Sequence, residues 1–193
     1  DGAVYQNTLE VTCSNISFVG KGKDKTTVRG GFGVEDKKNV SLQNLILTNR
    51  NANGLVVDGL IVEGGEASVE MLGVSVKNCG RFGLIVGNGA SVKATRCEVS
   101  ENRKSGVAMS GGSKGFFTDC TIHHNGLHGV GAYDVGTLVE LRGEQTKIHH
   151  NKKSGLSAFS DATINIHIPS RPITALVHDN PDGDLDTYSD GDR

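Results

Sequence analysis

The sequence predicts an all-β fold, a single-domain solenoid of about seven coils with three short strands in each. Three observations predict it. The first is a five-residue unit that recurs as Gly83-Leu-Ile-Val-Gly87, Gly106-Val-Ala-Met-Ser110, Gly129-Val-Gly-Ala-Tyr133 and Gly155-Leu-Ser-Ala-Phe159, at spacings of 23, 23 and 26 residues. The second is an asparagine four residues before three of those glycines (Asn102, Asn125 and Asn151), itself preceded three residues earlier by Val99, Ile122 or Ile148. The third is strict alternation, as in Ile164, Ile166 and Ile168 against Thr163, Asn165 and His167, which fixes the local period at two and not at 3.6.

Composition supports this class and removes others. The 193 residues include 27 glycines but only 3 prolines, without a collagen period and with apolar strands between the glycines. A formal charge of −2 excludes a binder of nucleic acid or membrane by bulk electrostatics, and no apolar run approaches the ~18 residues of a spanning helix. No secretory leader is visible, and a start at Asp1 without Met reads as a processed or truncated chain. Cys13, Cys79, Cys97 and Cys120 have neither CxxC nor zinc spacing. Cys97 and Cys120 lie one period apart and are expected as stacked, inward, buried thiols, with a disulfide as the alternative.

Taken in order, residues 1–30 form an opening coil of three strands: Leu9 to Cys13, Asn15 to Gly20, and Thr26 to Arg29. Gly54-Leu-Val-Val-Asp58 reads as the first clear copy of the unit, with a surplus of residues after it near Gly59–Glu66. From Gly83 onward, second strands are expected at 91–95, 114–118, 137–141 and 163–167. Third strands are expected at 97–100, 120–123, 146–149 and 173–178. Stacking equivalent positions gives buried columns: Leu47, Val76, Val99, Ile122, Ile148 and Val177; Leu55, Leu84, Val107, Val130 and Leu156; Val57, Val86, Met109, Ala132 and Ala158. The solenoid is expected over residues 1–180. Residues 181–193 read as an acidic tail without strand character.

With Asn102/Gly106, Asn125/Gly129 and Asn151/Gly155 and their flanking apolar columns, the chain resembles the right-handed parallel β-helix proteins. These belong to the pectate-lyase-like superfamily, and the likeness is to those built on short N-x-x-x-G-[VIL] repeats. That group includes pectate lyases, polysaccharide epimerases, phage tailspikes and the β-helical domain of some F-box proteins. The resemblance implies the fold over nearly the whole chain and favours an extracellular or virion-surface setting. It does not carry chemistry, because one fold hosts many functions.

A β-helix lyase of the resembled kind places acidic metal ligands and a base on the outer face of one sheet. Here the outward middle positions of the unit are Val56, Ile85, Ala108, Gly131 and Ser157, none ionisable. The next positions are Asp58, Gly87, Ser110, Tyr133 and Phe159. A lyase or C5-epimerase acting on uronate glycans would have to use Tyr133 as proton donor, with His128 and His123 nearby and Asp58 or Asp134 as orienting carboxylate. The Asn102, Asn125, Asn151 and Asn180 column is expected to be structural. His123, His149 and His178 should stack outward, where a divalent ion is conceivable with Asp179; no other cofactor is expected.

The stronger feature is a basic ridge of Arg50, Arg81, Arg103, Lys104, His128, Lys152 and Lys153 in the turns between asparagine and glycine. A row of cations repeating at ~4.8 Å beside a small-residue face suits an elongated polyanion. The expected function is a monomeric, non-catalytic recognition module for an anionic polysaccharide or a protein partner. Nucleic acid is disfavoured, because Phe82 is the lone aromatic in the ridge.

Overall fold

The computed structural model describes residues 8–22, 25–50, 57–168, 170 and 172–188. Among them the chain winds repeatedly through three parallel sheets of eight, seven and seven strands. The first sheet runs from Leu9–Glu10 through Phe32–Glu35, Leu60–Glu63, Leu84–Gly87, Val107–Met109, Val130–Ala132 and Leu156–Phe159 to Leu185–Tyr188. The second begins at Ser17–Val19 and ends at Thr163–His167, and the third begins at Thr27–Arg29 and ends at Val177–His178. Each turn contributes one strand to each sheet, so neighbours in a sheet come from successive coils. Leu84 pairs with Val107, Val107 with Val130, and Val130 with Leu156.

Strands of two to five residues form because the apolar alternation is short and each run is cut by a residue that turns the chain. Where the second sheet gives way to the third, Asn44, Arg96 and Asp119 adopt φ of 52° to 54°; the third sheet ends at Asn78, Glu101, His124, His150 and Asp179, with φ of 53° to 57°. Asn, Asp and His tolerate this left-handed region better than branched residues do. Inward side chains then superpose from coil to coil. Val76, Val99, Ile122, Ile148 and Val177 are each at most 2% exposed, and burying each such side chain stabilises by about 1.5–3 kcal/mol. Cys97 and Cys120 are buried free thiols in this core.

Gly106 and Gly129 are required by close approach, not by φ. A Cβ on Gly129 would lie 2.6 Å from both the Gly155 carbonyl oxygen and Ile148 Cγ2. On Gly106 it would lie 2.7 Å from Asn125 Nδ2 and 2.8 Å from Ile122 Cγ2.

Several expectations are corrected. Leu84 pairs with Leu60 and Val86 with Val62, so the copy of the unit before Gly83 is Gly59-Leu-Ile-Val-Glu63 and not Gly54-Leu-Val-Val-Asp58. A Cβ on Gly59 would meet Gly83 O and Val76 Cγ1, both at 2.6 Å, which is the packing that selects this glycine. Leu55 and Val56 lie outside the described residues, Val57 is outside the column, and the surplus precedes the unit. Ile173–Leu176 is a helical turn, leaving only Val177–His178 as strand. The expected strandless tail contains Leu185–Tyr188, which pairs in parallel with Leu156–Phe159 and completes the first sheet. A parallel strand needs only a free sheet edge and matched register, and Leu185 stacking on Leu156 supplies both.

Candidate functional site

The corner between the third and first sheets carries most of the candidate residues, and an asparagine ladder builds it. Asn102 Nδ2 donates to Asn125 Oδ1 at 3.0 Å and to the Val76 carbonyl at 3.3 Å. Asn125 Nδ2 repeats this with Asn151 Oδ1 at 2.9 Å and Val99 O at 3.1 Å, and Asn151 Nδ2 with Asn180 Oδ1 at 3.1 Å. The amide oxygens of Asn125, Asn151 and Asn180 also accept the backbone N–H of the asparagine in the coil before, as Asn151 Oδ1 does from Asn125 at 3.2 Å. With their polar atoms satisfied in the interior, these turns are rigid. The ladder fixes the direction of the residues that follow it, of which Arg50, Arg103, Lys104, Lys152 and Lys153 are exposed.

Those residues form two columns. Backbone bonds place Arg50, Gly80, Arg103, Gly126 and Lys152 at successive levels of one, and Arg81, Lys104, Leu127 and Lys153 of the other. The expected cation at every level is therefore interrupted. Glycine occupies alternate levels of the first column, and Leu127 breaks the second. Arg81 sits 3.7 Å from Asp58 and Lys153 2.7 Å from Asp182. Among the described residues, Arg103, Lys104 and Lys152 are exposed and have no carboxylate within 4.0 Å. The cationic centres of Arg81 and Lys104 lie over the Phe82 ring, 5.4 and 6.0 Å from its centroid.

His128 leaves the ridge. Its Nδ1 is 2.8 Å from Ser157 Oγ, and burial pushes its pKa below the ordinary value. Ser157, expected on an open face, is fully buried. Above this part of the sheet, the Tyr133 ring stacks on Phe159 at 5.3 Å with planes 5° apart, and its hydroxyl folds over Gly131. Burial raises the Tyr133 pKa.

The proposed catalytic set is not assembled. Tyr133 and His128 flank the first sheet near Phe159. Asp58 lies at a lower level, where its Oδ1 accepts the Phe82 N–H at 3.0 Å; burial raises its pKa against the opposing pull of that bond and of Arg81. Asp58 is also not in the row of Tyr133, because Glu63 takes that position beside Gly87. Asp134 is in an exposed turn and accepts the Gly111 N–H at 3.1 Å. His123 belongs to the third sheet, 3.1 Å from Glu98, whose pKa is held at about 2 chiefly by that bond.

His123, His149 and His178 stack outward as expected, with ring centroids 5.1 and 5.2 Å apart and planes within 7°. Stacked rings present faces, not nitrogens, to one another, and among the described residues no three ligand-type side chains converge on one point. Burial and the charges of His123, His178, His150 and His124 press the pKa of His149 down to about 4.

Residues 3–168 match the family described as Right handed beta helix region. The chain belongs to that family. No curated protein and no solved structure matches it. Within this β-helix, Glu98 was not singled out in the sequence, and the contacts of Phe82, Ser157 and Phe159 with Arg81, His128 and Tyr133 were not foreseen. The only available signal was their place in the repeat, which marks level and face but not partner.

Proposed function

We propose that this β-helix protein is a non-catalytic recognition module that binds an anionic polysaccharide along the corner between the third and first sheets. Arg103, Lys104 and Lys152, exposed and without carboxylate partners among the described residues on a rigid ladder-backed turn, carry the reading. Arg103 and Lys152 stand two levels apart, ~10 Å at the spacing of parallel strands. That spacing suits an extended polyanion better than a compact anion. Rigid presentation lowers the ordering cost of binding, and the Phe82 ring offers an apolar face beside the cations for a sugar ring.

Binding to a panel of uronate and sulfated glycans at low and high salt tests this. Arg103→Ala with Lys104→Ala and Lys152→Ala is expected to weaken binding at least tenfold, and raised salt to weaken the wild type. Unchanged affinity in the triple variant would remove the ridge as the site. Binding only to an acidic protein, with no glycan retained, would replace the polysaccharide by a protein partner.

A further inference from the structure

The last three strands of the third sheet each close on two adjacent ligand-type side chains: His123-His124, His149-His150 and His178-Asp179. The second residue of each pair is left-handed, with φ of 54°, 53° and 57°. That conformation turns its side chain beside the preceding one. Nδ1 of His123 lies 2.7 Å from Nδ1 of His124, and the two Nδ1 atoms of His149 and His150 are 2.8 Å apart. His178 Nδ1 is 2.7 Å from Asp179 Oδ2. Equivalent rings of successive coils stack, His124 on His150 at 5.1 Å and His149 on His178 at 5.2 Å.

We propose that these pairs within single coils are open two-donor chelates for a borderline divalent transition-metal ion: Cu(II), Ni(II) or Zn(II). Imidazole is a preferred donor for such ions, whereas Ca(II) and Mg(II) demand several oxygens that this surface does not gather. Two Nδ1 atoms this close share either a proton or a metal. With metal–nitrogen bonds of about 2.0–2.1 Å, two nitrogens at a right angle stand about 3 Å apart, so each pair opens by only a few tenths of an ångström. Both donors sit on backbone already fixed by the sheet and, at His149-His150, by the Asn151 rung that follows, so little ordering is lost on chelation. No third protein ligand converges among the described residues, so water completes the shell and the ion exchanges freely. Ions on neighbouring pairs would face each other across one coil, and their repulsion makes filling negatively cooperative.

The test is titration of the whole chain with Cu(II), followed by calorimetry and electron paramagnetic resonance. The comparison is the double variant His124→Gln, His150→Gln, whose replaced side chains are exposed; its thermal melt establishes that it folds. The wild type is expected to show hyperfine structure from two nitrogens, and the variant, left with only His178-Asp179 as a pair, from one, with affinity at least tenfold lower. Equal affinity and an unchanged two-nitrogen spectrum in the folded variant would overturn the proposal. So would wild-type affinity no greater than that of free imidazole.

Discussion

The two faces of the third sheet share strands, spacing and hydrogen bonds, yet stacking acts on them in opposite ways. Inward, Ile122, Ile148 and Val177 superpose, fully buried. Each coil covers the apolar surface left by the one before, so repetition adds stability. Outward, His123, His149 and His178 superpose at 5.1 to 5.2 Å, and any charge on one ring is opposed by the next. The parallel ladder thus rewards apolar repetition and limits the protonation of a repeated imidazole.

The sharpest break in the inward column is expected from Gly129→Val. Its Cβ would meet a backbone carbonyl and Ile148 together at 2.6 Å, and neither gives way without displacing a coil. The expected loss is about 4 kcal/mol or more, read as failure of cooperative folding in urea. Ile148→Ala, which empties space between Ile122 and Val177, is expected to cost about 2–5 kcal/mol in the same melts. A cost near zero there would mean that the inward column is not the source of coil-to-coil stability.

The outward column is tested by pH. The pKa of His149 is depressed from the ordinary 6.5 to about 4, so the folded state binds fewer protons than the unfolded chain. Its stabilising contribution is complete above pH 6.5, declines as pH falls toward 4, and changes no further below that. In chelator-containing buffer, His149→Asn is expected to flatten this part of the stability profile, and an unaltered slope would place the loss elsewhere. The smallest effect belongs to the exposed ridge: Lys152→Ala is expected to change stability by about 0.5 kcal/mol or less. A larger cost in denaturant melts would make the ridge structural and not a free binding surface.

Much of the inward face was legible because burial repeats by position. Val99, Ile122 and Ile148 stand three residues before their asparagines, and the same alignment exposes Asn102, Asn125 and Asn151 as a ladder. That alignment also marks where the ladder stops. Cys79 occupies the asparagine position before Gly83, and its N–H still donates to Asn102 Oδ1 at 3.0 Å, but a thiol has no amide with which to extend the chain of bonds. The outward face was less legible, because solvent accepts many side chains and spacing does not say which partners meet.

By itself the sequence determined the three-strand coil, its inward columns and the asparagine turns, since these follow from alternation and from a period near 23 residues. Tertiary structure decided between Gly54-Leu-Val-Val-Asp58 and Gly59-Leu-Ile-Val-Glu63, whose local patterns are equivalent; the register of Leu60 on Leu84 and the approach of Gly83 and Val76 to Gly59 select the second, whose 24-residue spacing to Gly83 also fits the repeat better than 29. It also buried Ser157 beside His128, drew Leu185–Tyr188 into the first sheet, and brought His149 and His150 nitrogen to nitrogen. Each of those outcomes depends on which groups a neighbouring coil or a left-handed turn brings within bonding distance. A one-dimensional pattern sets the level of a residue in the solenoid, but not the direction from which its partner arrives.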